Sequence, residues 1–209
     1  PVDFPRRALV PGTGARWGAL RCSVTEFDTF GSWVLCHVGT MTNELLYDVS
    51  GHVGVITFNR PDRMNTITGS MLAALSELLL EADADDQVRV IVLTGNGRAW
   101  CAGLDVGAAA SGEGIGGDGA SGATGEFNLR DAPPVVLNKI DTPTIAALNG
   151  GAAGYGMDLA LGCDIRIAAD TAKLSAAYTA RGLVPESGGT WLLPRIVGWS
   201  KAAELLFTA

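Results

Sequence analysis

The order of hydrophobic and polar positions divides the chain into alternating strand-like and helix-like segments. Residues 52–58, HVGVITF, alternate and are rich in β-branched side chains, which predicts a strand. Thr68 can cap a following helix. Five apolar residues after it fall at helical spacing on one face: Met71, Leu72, Leu75, Leu78 and Leu79. Residues 88–95, VRVIVLTG, predict a strand that is buried on both faces of a parallel sheet.

The second half of the chain repeats this alternation. Strands are predicted at 142–149 and 163–170, and helices at 126–140 (interrupted near Pro133 and Pro134), 157–161, 187–198 and 200–207. This βαβαβ order predicts an α/β fold with right-handed crossovers. The strand-like pattern starts abruptly at Met41, so we expect one domain over residues 41–209. Residues 1–40 show no sustained period, and we expect an atypical segment there, a tail or non-native sequence.

Composition excludes several functional classes. The 209 residues are 47% hydrophobic, with a net charge of -7 and no Lys/Arg-rich run, so we expect no nucleic-acid partner. No apolar run approaches the roughly 20 residues of a membrane span, so we expect no membrane partner. The cysteines form no CxxC pair, which argues against a metal site. Cys101 and Cys163 are predicted to be reduced core thiols, as is typical of a cytoplasmic protein.

A Gly/Ala/Ser-rich segment covers residues 107–125 and contains GEGIGG, which formally matches a dinucleotide-binding motif. A phosphate-binding turn must close a strand and open a helix directly, and this segment does neither. We therefore expect a loop here and no dinucleotide cofactor.

Small residues follow two strand-like stretches, in WCAGLD (100–105) and GGAAGYG (150–156). Such residues let a ligand approach the backbone, and N–H groups at a helix start can donate to developing negative charge. One donor from each turn would form an oxyanion hole, which stabilises an enolate. Close packing alone also explains Gly/Ala-rich turns, so these residues leave both interpretations open.

Four stretches together resemble the enoyl-CoA hydratase/isomerase (crotonase) superfamily: GVITFNRPDRMNTI, VRVIVLTGNGRAWCAGLDV, TPTIAALNGGAAGYGMDLALGCDIRIAAD and GLVPESGGTWLLPRIVG. The resemblance implies a spiral of repeated ββα units, an unsaturated acyl-CoA thioester as substrate and catalysis through its enolate. It implies no cofactor other than the coenzyme A of the substrate. It also implies a homotrimer or hexamer if the C-terminus is intact. Relatives continue beyond ELLFTA, so we expect the C-terminal helical part of the fold to be missing.

Carried over position by position, the resemblance makes the backbone N–H groups of Leu104 and Tyr155 the oxyanion donors. The Tyr155 side chain is expected to narrow the acyl pocket. The residues expected to bind the substrate or its coenzyme A are Arg60, Met64, Cys101, Ala102, Gly103, Gly154 and Tyr178. Asp105 is predicted to be a structural cap and not a catalyst.

The resemblance also bears on the reaction. Hydratases of the family place two glutamates around a water, and their positions fall at Asp158 and Tyr178 here, so the second carboxylate is absent. Glu186 stands where several isomerases carry their catalytic acid. We therefore predict that Glu186 and Asp158 are catalytic and that double-bond isomerisation is favoured over hydration. Asp158 would either take the α proton or orient the substrate.

Two alternatives stay open. Both acids lie near predicted helix starts, where the helix dipole favours a negative charge without any catalytic role. The missing second glutamate also suits a CoA-thioester binding protein with little or no catalysis.

Overall fold

The fold is known from a computed structural model, which describes residues 43–110, 131–185 and 187–209. Several sequence predictions lie wholly or partly outside these residues. They are the segment 1–40, the GEGIGG motif and the rest of 111–125, the start of the helix 126–140, and Glu186.

Eight strands and six helices are present in the described parts of the chain. The strands are β1 (Leu45–Ser50), β2 (Val53–Phe58), β3 (Val90–Gly95), β4 (Ala99–Cys101), β5 (Thr144–Leu148), β6 (Gly151–Ala153), β7 (Ile165–Ala168) and β8 (Leu174–Ser175). The helices are α1 (Gly69–Ala84), α2 (Val106–Ala110), α3 (Pro133–Leu137), α4 (Tyr155–Gly162), α5 (Gly189–Val197) and α6 (Trp199–Thr208). Short 3-10 turns lie at Pro61–Arg63 and Thr179–Arg181.

The strands divide between two sheets. The larger has the order β1-β2-β3-β5-β7 and the smaller β4-β6-β8. Only β1 runs antiparallel to its neighbour among the described strands; the other pairs are parallel. From β3 onward, each pair of consecutive strands places its first member in the larger sheet and its second in the smaller, and a helix follows. The predicted α/β fold of repeated ββα units is confirmed.

Helix α1 covers the larger sheet with the predicted apolar face. The Thr68 hydroxyl accepts a hydrogen bond from the Met71 N–H at 3.3 Å and caps the helix, as predicted. All five predicted apolar residues are buried, as are Ile56 and Phe58 of β2. The Trp100 ring packs edge-on against Phe58, with 5.2 Å between ring centroids. Burial of this face anchors the helix on the larger sheet, and the Phe58–Trp100 contact joins β2 of that sheet to β4 of the smaller one.

Three details of the structure were not predicted from the sequence. Strand β3 buries Ile91 and Leu93 but leaves Val90 and Val92 half-buried, so only one of its faces is fully covered. Helix α3 begins at Pro133 and Pro134, where a proline at the first helical position loses no intrahelical hydrogen bond, and the earlier part of the predicted helix 126–140 lies outside the described residues. Part of the stretch 150–156, expected to lead directly into a helix, forms strand β6.

Candidate active site

The smaller sheet brings three strand ends to one place. Strands β4, β6 and β8 are parallel, with Cys101 paired to Ala152 and Ala153 paired to Ser175. The carboxyl ends of parallel strands lie at one edge of a sheet, where ligands of open α/β sheets commonly bind. Leu104 follows β4, Tyr155 follows β6 and Tyr178 follows β8. The topology therefore gathers residues that are far apart in the sequence.

The turns after β4 and β6 touch through their backbones. Gly103 has φ +97, in the region that favours glycine. A Cβ atom on Gly103 would lie 2.8 Å from the Ala153 carbonyl oxygen and 3.6 Å from the Tyr155 nitrogen. The two turns that carry the predicted donors can approach this closely only because residue 103 has no side chain.

The hydrogen bonds around Leu104 set the direction of its N–H group. The Ile67 N–H donates to the Gly103 carbonyl at 2.8 Å, and the Asp105 N–H donates to the Ile67 carbonyl at 2.9 Å. Ile67 therefore forms a parallel bridge with Leu104. Because successive N–H groups of an extended chain alternate in direction, the Leu104 N–H points away from Ile67.

The second predicted donor lies at the start of α4. Gly154 has φ +52, and its N–H donates to the Ser175 carbonyl at 3.0 Å. Tyr155 is the first residue of the helix, where N–H groups point out of the helix end. Its side chain is 4% exposed and belongs to the main core. Its expected effect on an acyl pocket stays a prediction.

A buried carboxylate lies one turn further along α4. Asp158 is 1% exposed, and the Tyr178 hydroxyl donates a hydrogen bond to its Oδ2 atom at 2.6 Å. Tyr178 is itself buried and follows Ala177, whose φ of +53 is unusual for a residue with a side chain. The family resemblance already assigned these two positions to one water site, but it did not predict a hydrogen bond between their side chains.

The other carboxylate oxygen of Asp158 faces the start of α5. A Cβ atom on Gly189, the first residue of that helix, would overlap Oδ1. Gly188 before it has φ +97. The positive end of the α5 dipole therefore lies against the Asp158 carboxylate, which favours its negative charge. Glu186, the other predicted catalytic acid, lies outside the described residues just before this turn.

Asp105 is the structural cap that the sequence predicted. Its Oδ1 atom accepts hydrogen bonds from the N–H groups of Gly107 at 3.0 Å and Ala108 at 3.2 Å, at the start of α2. The hydrogen bond from Ala108 is the largest cause that lowers the pKa of the Asp105 carboxyl, and Arg60 and Thr66 lower it further. Arg60, predicted to border coenzyme A, forms ion pairs with Glu44 and Asp105 at 3.0 Å each.

The other predicted binding residues that follow are buried or contribute backbone groups to this part of the structure. Cys101 is fully buried, and burial raises the pKa of its thiol to about 12, so the thiol stays protonated at neutral pH. Met64 has φ +55, and its carbonyl accepts a hydrogen bond from the Ala102 N–H at 3.0 Å. The turn at residues 60–64 thus lies beside Cys101, Ala102 and Gly103, as the sequence predicted for the border of one binding site.

Two other features are absent from the described residues. No group of three or more His, Cys, Asp and Glu side chains is arranged to hold a metal ion there. No helix in that part of the chain is both long enough and apolar enough to span a membrane.

Comparison with known proteins gives this geometry a context. The sequence model described as enoyl-CoA hydratase/isomerase matches residues 48–209. The chain is 41% identical over 167 residues to a 1,2-epoxyphenylacetyl-CoA isomerase of Escherichia coli, covering 79% of this chain and 62% of that protein. It is 42% identical over 164 residues to a protein of Mycobacterium tuberculosis named as a probable enoyl-CoA hydratase, covering 78% and 62%.

Solved structures agree with the sequence matches. An enoyl-CoA hydratase/isomerase from Mycobacterium paratuberculosis superposes with a TM-score of 0.71 at 29% identity, covering 81% of this chain and 67% of that one. The chain spans about three fifths of the length of the two curated relatives described above, 62% in each case.

We predict that Gly189→Ala lowers the free energy of unfolding by about 1–3 kcal/mol, because the new methyl group overlaps Asp158 and must displace α5 or the carboxylate. Gly151→Ala is the control, since a Cβ there meets its nearest neighbour, the Lys173 carbonyl, at an ordinary 3.6 Å. Urea unfolding of both variants measures the difference. Equal midpoints would contradict the close approach of α5 to Asp158.

A second prediction concerns pH. The lowered pKa of Asp105 means that its contribution to stability is complete above the ordinary value of 3.8 and is lost as pH falls through the lower folded-state value. Asp105→Asn should therefore destabilise the protein at pH 7, and the deficit should shrink as pH falls below about 3.8. Urea unfolding across this range tests it, with Asp48→Asn on the exposed edge of β1 as control. A deficit that stays constant with pH would be the contrary result.

Proposed function

The chain belongs to the enoyl-CoA hydratase/isomerase family, and on that premise we propose that the whole protein is an enzyme that converts an unsaturated acyl-CoA thioester through its enolate. The observation that supports the proposal is the meeting of three strand ends, because the turns after β4 and β6 and the buried Asp158 carboxylate lie at the same edge of the smaller sheet. The relatives' names include both isomerase and hydratase, so they do not choose between the two reactions.

The Leu104 and Tyr155 N–H groups are the proposed oxyanion donors. A thioester carbonyl oxygen placed between the two turns would accept from both. Negative charge that develops on this oxygen during enolate formation would then be stabilised by backbone dipoles already in position, and loss of one such donor typically costs roughly 100- to 1000-fold in kcat. Because the donors are backbone groups, the tyrosine at position 155 does not remove the second one.

Asp158 is the proposed acid–base residue among the described residues. It lies on the same helix as the Tyr155 donor, three positions later, so one helix fixes the spacing between them. Its burial excludes bulk water, and the Tyr178 hydroxyl and the N-terminus of α5 each face one of its carboxylate oxygens. A carboxylate held in this way is able to take a proton from the carbon next to the thioester.

Isomerisation is proposed ahead of hydration, because the second carboxylate needed to hold a water is absent at position 178. The Tyr178 hydroxyl instead donates a hydrogen bond to Asp158. In isomerisation, a base removes a proton from the α carbon, the electrons of that C–H bond form the enolate, and a proton is returned two carbons away as the double bond moves. Glu186 is proposed to share this proton transfer with Asp158. No water enters the balance of this reaction.

Other features of the whole protein remain proposals. We propose that coenzyme A is bound as part of the substrate, with no further cofactor. We also propose assembly as a homotrimer or hexamer and a cytoplasmic location.

The function is tested by ultraviolet absorbance of the conjugated enoyl thioester, with a 3-enoyl-CoA and a 2-enoyl-CoA as separate substrates of the full-length protein. We expect absorbance to rise with the 3-enoyl substrate. Asp158→Asn should reduce this rate by roughly 100- to 10,000-fold, the usual contribution of a general acid or base. Asp170→Asn, on an exposed turn after β7, is the matched control.

The other outcomes separate the alternatives. Falling absorbance with the 2-enoyl substrate would show hydration and overturn the preference for isomerisation. Tight binding of acyl-CoA with no change in either assay would favour the binding-protein alternative.

A further prediction concerns the hydroxyl of Tyr178. Tyr178→Phe keeps the buried ring but removes the donor to Asp158, and a hydrogen bond to a charged group is worth about 1.5–3 kcal/mol. We expect kcat to fall at least roughly tenfold with little change in KM. Tyr47→Phe is the matched control, because the buried Tyr47 hydroxyl has no hydrogen-bond partner among the described residues. Wild-type kcat in the Tyr178 variant would show that the bond is not needed for turnover.

A further inference from the structure

Each of the three guanidinium nitrogens of Arg60 has a partner in another residue. Its Nε atom lies 3.0 Å from Glu44 Oε1, its Nη2 atom lies 3.0 Å from Asp105 Oδ2, and its Nη1 atom donates to the Thr66 carbonyl at 2.6 Å. Only 16% of the side chain is exposed. A planar guanidinium held at all three nitrogens is fixed in orientation, and binding a phosphate of coenzyme A would require breaking at least one of these contacts.

Asp105 forms an ion pair with this guanidinium and also caps α2. Its Oδ2 atom faces Arg60 and accepts a hydrogen bond from the Thr66 hydroxyl at 3.3 Å. Its Oδ1 atom accepts the two N–H groups at the start of α2. The carboxylate therefore connects the turn before α1 to the turn after β4.

The backbone continues this connection on both sides of Leu104. Met64 and Ile67 are bonded to the chain from Ala102 to Asp105 through three backbone hydrogen bonds of 2.8–3.0 Å. The buried Asn65 side chain adds two more contacts. One is its hydrogen bond from the Arg60 N–H at 2.8 Å, and the other is its donation through Nδ2 to the carbonyls of Asn96 at 2.9 Å and Ala99 at 2.7 Å. Residues 60–67 thus hold the end of β4 and the turn that follows it.

We propose that Arg60, Thr66 and Asp105 form a brace that holds the Leu104 N–H in its donor orientation. This inference rests on the proposed function, because it assigns the brace to the oxyanion hole of that reaction. Arg60 and Asp105 are then positioning residues: they touch the peptide segment that carries the donor and do not touch the substrate.

The need for a brace follows from the neighbouring glycine. Gly103 has no side chain to restrict its backbone, and its φ of +97 lies in a region that glycine enters and leaves easily. A rotation there would turn the Leu104 N–H away from the carbonyl oxygen. Misplacement of a reacting group by about 1 Å can cost roughly 100-fold in rate. Asp105 is the first side chain after Leu104 with charged partners, so it is well placed to prevent that rotation.

The test measures carbonyl polarisation directly. A saturated acyl-CoA with a ¹³C-labelled thioester carbonyl has no double bond to move, and its carbonyl stretch falls in frequency when the oxygen accepts strong hydrogen bonds. Isotope-edited infrared spectra of this ligand would be recorded with the full-length wild-type protein, Asp105→Ala and Arg60→Gln. The 3-enoyl-CoA assay gives kcat and KM for the same variants.

We expect the wild type to lower the carbonyl frequency and both variants to lose at least about half of that shift. Their kcat should fall about 10- to 100-fold, with KM changed less than about threefold, because the geometry of one donor is lost and not the binding surface. Asp105→Asn is the control for misfolding of Asp105→Ala, because its amide oxygen still caps α2 while the negative charge that faces Arg60 is removed. It should show the same loss of the frequency shift.

Glu204→Ala is the matched control for loss of an ion pair. It removes the exposed partner of Lys201 on α6 and should change neither spectrum nor kcat. A wild-type frequency shift that persists in Asp105→Ala, Asp105→Asn and Arg60→Gln would overturn the brace and leave the proposed function standing. A wild type that binds the ligand without any shift would overturn the oxyanion hole itself, and the brace with it.

Discussion

The close approach of the turns after β4 and β6 is the constraint on which the site depends. Gly103 lies against the Ala153 carbonyl, and Gly156 lies against the Cys101 carbonyl, where a Cβ atom would overlap. Strand pairing sets this distance, and the absence of side chains permits it. Because both proposed donors are backbone groups, the side chains of Leu104 and Tyr155 are available to pack in the core. The position of the proposed donors therefore depends on the path of the backbone more than on side-chain chemistry.

The buried carboxylate of Asp158 imposes a second constraint. Burying an unpaired charge is costly, and a group in such a place is usually either neutralised or given compensating dipoles. Here the Tyr178 hydroxyl meets one oxygen and the start of α5 meets the other. Both elements belong to the ββα unit that follows the unit of α4, so the environment of the acid exists only when the end of β8 and helix α5 pack against α4. The contacts of the Asp158 carboxylate therefore form only when the segment from β8 to α5 folds against α4.

Sequence-based prediction succeeded only for elements that are long enough to show a periodic pattern of apolar residues. Helix α1 and strand β2 were predicted correctly, because each has enough residues to show a complete period. Strands β4, β6 and β8 have three residues or fewer, which is too short to show an alternation. The donor turns were placed by the glycines that close approach requires. The Tyr178–Asp158 bond and the contacts of Arg60 were missed, because both depend on tertiary packing.

Position 178 shows how one side chain could change the chemistry of a site while the proposed backbone donors stay the same. A carboxylate there would repel Asp158 and leave room for a water between the two acids, whereas a tyrosine supplies a donor and fills that space with a ring. The oxyanion turns are unaffected by this exchange, because they belong to β4 and β6. In the proposed reaction, the backbone donors after β4 and β6 would stabilise the enolate, and the side chains of Asp158 on α4 and of the residues after β8 would determine where the proton goes.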